Sequence, residues 1–144
     1  MRFCIGSDAP GEAPNAIAEA LRERGHDVEL CGPLTGNEAG WADVARDVAS
    51  RVAAGSVDQG VLFCWTGTGV SIAANKVPGI RAALCGDAET ARGARAWNDA
   101  NVLCLSLRTT TPILAREILD AWLNASPDPS ESEQIARIEP PGRH

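Results

Sequence analysis

Tyrosine is absent from this 144-residue chain, lysine occurs once, at Lys76, and histidine twice, at His26 and His144. With aromatics at only 4%, the core has to be built from Ala, Val, Leu and Ile. The net charge is −6, and no Lys/Arg cluster is present. Both features disfavour nucleic acid, whose binding rests on neutralising backbone phosphates. No apolar run approaches the ~18 residues of a membrane span. The five cysteines, Cys4, Cys31, Cys64, Cys85 and Cys104, form no C-x-x-C pair. With so few histidines, a zinc site is not expected. Cys4, Cys64, Cys85 and Cys104 lie in or at the end of apolar runs and read as buried small hydrophobes in a reducing compartment, with weaker support for Cys31. The opening Met1-Arg2-Phe3-Cys4-Ile5-Gly6 reads as a strand and lacks the long apolar stretch and cleavage site of a signal peptide, so a cytoplasmic location is expected.

What is present is an alternation of short apolar runs with helical patterns. Strands are predicted at Arg2–Ser7, His26–Leu30, Gln59–Cys64, Ile80–Cys85 and Val102–Ser106. Between them, Ala16, Ile17, Ala20 and Leu21 recur at helical spacing in a helix over 15–24 that ends at Gly25. Val44, Ala45, Val48, Ala49 and Val52 share one face of a helix over 41–54. Further helices are predicted over 70–76, 88–96 and 112–123, the last with Pro112 near its first turn. Five strands separated by helices imply βαβ crossovers and a parallel sheet covered on both faces. The predicted fold is therefore α/β, a Rossmann-like three-layer αβα sandwich with a five-stranded parallel sheet. The domain spans 1–125. Residues 126–144, rich in Pro, Ser and Glu, form a C-terminal extension with a short helix around 130–137, packing on a partner subunit or partly disordered.

In such a sheet, ligands bind beyond the carboxyl ends of the strands. The segments reaching that edge are Gly6-Ser7-Asp8, Cys64 to Gly69, Gly86-Asp87 and Ser106 to Arg108. In the loop after the third strand, Gly67 and Gly69 let the backbone turn and expose N–H groups at a helix start, a nest for a phosphate or an oxyanion. A tight strand-to-helix turn with no ligand explains the same glycines. Cys64 stands where helix N–H groups favour a thiolate that could act as base or nucleophile. Plain core packing explains it as well.

The run Cys64-Trp65-Thr66-Gly67-Thr68-Gly69-Val70-Ser71-Ile72-Ala73-Ala74-Asn75-Lys76 resembles the C-G-T-G-x-G-x-S-I-A-A-N-K signature of the ribose-5-phosphate isomerase B and galactose-6-phosphate isomerase family. Val77-Pro78-Gly79-Ile80-Arg81-Ala82 continues the match, Trp97-Asn98-Asp99-Ala100-Asn101-Val102-Leu103 resembles the family's H-N-D-x-N-V-L, and Gly6-Ser7-Asp8 its G-x-D. The resemblance covers residues 1–124. It implies a homodimer or homotetramer with active sites at the subunit interface. It also implies aldose–ketose isomerisation of a sugar or sugar phosphate through a cis-enediol, with no metal or organic cofactor. In one branch the base is a Cys at the position of Cys64, in another a Glu at the position of Val70. Valine cannot act, so the resemblance leaves Cys64 as the base. It further implies that Thr66 hydrogen-bonds near the thiolate and that the amides of Gly67, Thr68 and Gly69 hold the oxyanion. Asp8 would bind a sugar hydroxyl, Asn98 would face the substrate, and Arg108 matches an Arg after the fifth strand.

The pattern is broken at four places. Trp97 replaces the histidine thought to open the sugar ring, and Ala9 replaces the His after the first-strand Asp. Gly40-Trp41-Ala42 stands for D-Y-P. Glu131 and Ile135 stand where two arginines grip the phosphate, although Arg137 is close by. Trp41, Trp65 and Trp97 either line a more apolar site or seal the dimer interface. Two readings follow. One is an isomerase of altered specificity, whose substrate lacks the usual phosphate or is already open-chain. The other is a catalytically degenerate member serving as a ligand-binding or hetero-oligomer subunit. His26 reads as a capping or surface residue, Asp87 as a turn or cap residue, and Asp99 as an orienting one.

Overall fold

The computed structural model describes residues 1–142, so His144 lies outside the described residues. Strands β1 (Arg2–Ser7), β2 (Asp27–Cys31), β3 (Gln59–Cys64), β4 (Ala82–Leu84) and β5 (Val102–Ser106) alternate with helices α1 (Glu12–Glu23), α2 (Trp41–Ala53), α3 (Thr68–Ala74), α4 (Ala88–Asn98) and α5 (Pro112–Asn124). A short α6 (Ser132–Ala136) follows. All strand pairs are parallel, in the order β2-β1-β3-β5-β4. The predicted α/β sandwich is therefore the one adopted. The chain steps from β1 outward to β2 and then back across to β3, which places the topological switch between β1 and β3, the crevice where such sheets bind ligands.

Alternation along each strand sorts the core into two layers. Phe3, Ile5, Val61, Phe63, Leu103 and Leu105 pack with α1, α4 and α5. Cys4, Leu62, Cys64, Val102 and Cys104 pack with α2 and α3. Cys64 therefore faces the α2/α3 layer because of its place in the strand. Gly6 and Gly60 bring that layer close: a Cβ on either would lie 2.6 Å from a valine of α2 (Val44 and Val48, respectively).

Boundaries move where side chains from elsewhere capture the backbone. α1 begins at Glu12, three residues before the predicted start, after extended Gly11 and with Pro14 in the first turn, where its missing N–H costs nothing. β4 is shorter than predicted. The Asn75 amide accepts from the Ala82 N–H at 2.8 Å and donates to its carbonyl at 2.9 Å, while Asn101 accepts from the Arg81 N–H at 2.8 Å. Asn75 thereby satisfies part of the sheet's free edge, while Asn101 ties the start of β4 to β5. Asp99, the one non-glycine residue with positive φ among the described residues, pairs with both Arg81 and Arg95. Asp87 caps α4 by accepting from the Thr90 N–H at 2.7 Å, which holds its carboxyl below the usual range. His26 Nδ1 lies 2.9 Å from the amino group of Met1.

All five cysteines are buried and free. Burial, with a smaller contribution from Asp87, pushes the Cys85 thiol up to about 12, and burial raises Cys104 as well. Cys4 is raised first by its 2.7 Å contact with Cys31 and then by burial. A thiol raised in the folded state contributes stability that is intact below the unfolded value near 9 and is lost as pH climbs toward the folded value. The Cys4 contact lowers Cys31 in turn, so Cys85 and Cys104 carry the net effect: urea denaturation should show stability falling from about pH 9 upward, by up to about 1.4 kcal/mol per pH unit for each of the two. Cys85→Ala should make the decline shallower, whereas a slope identical to the parent's would contradict the assignment.

Candidate active site

The carboxyl ends of β1 and β3 and the start of α2 enclose a cavity of about 270 Å³ lined by Asp8, Trp41, Cys64, Trp65, Thr66, Thr68 and Gly69. Cys64 ends β3, paired in register with Ser106 of β5. It is 5% exposed and packs with the α2/α3 layer, and it is among the residues lining the cavity. The strand is held in place after it ends. The Leu107 N–H donates to the Cys64 carbonyl at 2.9 Å, and the Ser106 hydroxyl and Arg108 N–H donate to the Trp65 carbonyl at 2.8 and 3.0 Å.

With those carbonyls engaged, the chain turns at Gly67 (φ 77°), the N-cap of α3. Two constraints require glycine there: the left-handed backbone, and a close approach in which a Cβ would meet Leu84 at 2.6 Å and the Leu105 backbone at 2.9 Å. Among the described residues, the N–H groups of Gly67, Thr68 and Gly69 donate to no protein acceptor. They are the orphan donors of a helix start. The Thr66 and Thr68 hydroxyls lie 2.7 Å apart. Trp41 opens α2 and rests against Gly69, where a Cβ would sit 2.8 Å from its ring. Asp8 follows β1 in a turn fixed by the buried Ser7 hydroxyl, which donates to the Ala9 carbonyl at 2.5 Å. Val70 is fully buried and carries no ionisable group.

Other expected residues lie elsewhere. Arg108 lines a neighbouring cavity of about 450 Å³ with Pro10, Gly11, Glu12, Thr109, Thr110 and Thr111, and Trp65 borders both spaces. That second cavity was not anticipated beyond Arg108. Its signal is the Arg-Thr-Thr-Thr-Pro run between the last strand and a helix. Trp97 and Asn98 end α4, which leads into the start of β5. They therefore sit at the amino edge of the sheet, opposite Cys64, where Asn98 shares a cavity with Arg81 and Ala82. Arg137 follows α6, exposed and paired with Glu133. The described part of the C-terminal extension packs on its own chain. The Asp128 N–H donates to the Ala96 carbonyl at 2.8 Å, and Glu139 accepts from the Gly79 N–H at 2.7 Å. Among the described residues, no three His, Cys, Asp or Glu side chains converge as a metal site, and no helix is long and apolar enough to cross a membrane.

Fold and crevice together place Cys64 among the residues lining the cavity, next to a helix start whose first N–H groups are unpaired among the described residues. Residues 3–139 match the family model described as Ribose/Galactose Isomerase. The D-erythrulose-4-phosphate isomerase of Pectobacterium atrosepticum is 39% identical over 127 residues, 87% of this chain and 84% of that protein. Ribose-5-phosphate isomerase B of Escherichia coli is 42% identical over 118 residues, 82% of this chain and 79% of that protein. The structure of the Clostridium thermocellum ribose-5-phosphate isomerase B superposes with a TM-score of 0.89 at 40% identity, covering 96% of this chain and 95% of that one. The chain belongs to the ribose/galactose isomerase family, and by class it is an aldose–ketose isomerase.

Proposed function

We propose that this protein interconverts an aldose phosphate and its ketose through a cis-enediolate, with Cys64 as the base and a specificity altered from that of its relatives. The observation carrying the proposal is the cavity lined by Cys64, Thr68 and Gly69, with the N–H groups of Gly67, Thr68 and Gly69 unpaired, among the described residues, at the helix start that follows Cys64. The thiolate takes the proton from C2 of the aldose and the amides hold the enediolate oxygen. The proton returns to C1 while the hydroxyl proton passes from O2 to O1. Thr66 hydrogen-bonds beside the sulfur, Asp8 binds a sugar hydroxyl and Trp41 covers one sugar face. Arg108, with no ion pair among the described residues, takes the phosphate in the neighbouring cavity, next to the orphan N–H groups that open α1.

Trp97, Asn98 and Arg137 act on a second copy of the chain, in a cytoplasmic homodimer or homotetramer with no bound cofactor. What supports this is their position away from the Cys64 edge, together with exposed apolar side chains: Trp97 itself at 50%, Leu84 on edge strand β4 at 40% and Ile72 on α3 at 63%. Incubating the protein with a panel of sugar phosphates in D₂O tests the reading. One substrate should acquire deuterium at C2 during turnover, and the protein should elute as a dimer or larger. No deuterium uptake across the panel would refute the isomerase mechanism.

A further inference from the structure

The cavity at the end of β3 presents two titratable side chains, Asp8 and Cys64. Moving hydrogen between C1 and C2 occupies the thiol. Opening a cyclic sugar is a separate proton transfer: the bond from C1 to the ring oxygen breaks, the anomeric hydroxyl loses its proton and the ring oxygen gains one. It needs a donor and an acceptor together, both able to exchange a proton near neutral pH.

Among the described residues the walls do not supply that pair, and Glu38, which shares a shallow cavity with Asp8, adds only a second carboxyl side chain. A carboxylate accepts a proton's hydrogen bond but does not donate one, and indole N–H groups and threonine hydroxyls do not ionise near neutrality. Thr66 and Thr68 are in any case engaged with each other. Glu12 lies in the neighbouring cavity, with Trp65 between it and the thiol. His26 is bonded to the Met1 amino group at the amino edge of the sheet. Trp97 and Asn98, the pair α4 would offer a second copy, add no group that titrates near neutral pH.

We infer that this protein isomerises only acyclic sugar phosphates and leaves ring opening to the solvent. The inference rests on the isomerase reading above and adds the substrate class. An aldose phosphorylated on its terminal oxygen closes a five-membered ring through O4, which takes five carbons. A ketose closes through O5, which takes six. Four-carbon 4-phosphates are thus acyclic in both directions. Pentulose 5-phosphates are acyclic as ketoses, whereas their aldose partners are ring-closed. The four-carbon class is therefore the one the site serves in both directions. With five carbons the site works freely only from the ketose.

The test follows D-erythrulose 4-phosphate, D-ribulose 5-phosphate and D-ribose 5-phosphate by NMR with the full chain at rising enzyme concentration. Consumption of both ketoses should stay proportional to enzyme. Consumption of ribose 5-phosphate should level off at the spontaneous ring-opening rate, measured separately by trapping the free aldehyde. A ribose 5-phosphate rate that keeps rising with enzyme beyond that ceiling overturns the inference and leaves the isomerase reading standing. If none of the three is converted or exchanges its carbon-bound hydrogen with solvent, both fall together.

Discussion

Replacing Cys64 with alanine should lower kcat by about 10²- to 10⁴-fold, the usual contribution of a positioned general base. KM should change little, because Asp8, Trp41 and Arg108 remain in place. Deuterium uptake at C2 should fall in parallel with turnover, since both depend on the same proton abstraction. Folding should survive. The sulfur is one small member of a layer that includes Leu62, Val70 and Val102, and its loss is a modest truncation of order 1 kcal/mol. Steady-state kinetics, exchange by NMR and a urea titration on one preparation separate the two effects. A C64A protein that turns over at the parent rate would remove the thiol from the mechanism. A C64A protein that is inactive and also unfolded would be resolved by Cys64→Ser, which keeps the size but supplies a far weaker base.

Trp122→Ala should cost about 3–5 kcal/mol of stability, a large share of the 5–15 kcal/mol that holds a typical domain folded. Trp122 is 1% exposed on the inner face of α5, and the Arg95 guanidinium lies 5.6 Å from its ring centroid. Its indole N–H donates to the Gln59 side-chain oxygen at 2.8 Å, a bond between two buried groups. Truncation leaves both a void and an acceptor without its donor, and the second loss alone is worth about 1–3 kcal/mol. Trp122→Phe should keep most of the packing and lose mainly the hydrogen bond. Adding Gln59→Leu should then recover part of that loss, because removing both polar partners is less costly than orphaning one. Urea denaturation of the parent, Trp122→Ala, Trp122→Phe, Gln59→Leu and the Phe/Leu double variant measures these differences. A loss below about 1 kcal/mol for Trp122→Ala would contradict the packing described.

Legibility from the sequence followed the range of the forces involved. β3 and β5 run over the residues the apolar pattern predicts, Gln59–Cys64 and Val102–Ser106, because central strands buried on both faces are continuous apolar runs. β4 ends up shorter: Asn75 bonds its free edge and the Asn101 side chain bonds the Arg81 N–H before it, and no local pattern reports that. Of the site, the Gly67 turn and the thiol before it could be read locally as a candidate nest. Asp8 and Trp41 lie far from that loop in sequence: the end of the first strand put Asp8 at the ligand edge, while its role, and Trp41 altogether, entered through the family resemblance. The structure places them on the same wall. Arg108 could be read from the end of the fifth strand as well as from the resemblance, but its cavity depends on how the ends of β1 and β5 converge.

By itself the sequence determined the layer order of the domain, the strands at its centre and the chemistry on offer: one thiol, two nearby glycines, and no histidine at the position of Trp97. These follow from side-chain identity and periodicity, which act over a few residues. Tertiary structure alone decided which of those groups meet. Strand parity turned Cys64 toward α2, the Gly67 backbone left three amides without partners, and the course of α4 carried Trp97 and Asn98 to the far edge of the sheet. Such placements arise from parallel pairing between segments distant in sequence, and that pairing is settled only when the whole sheet assembles.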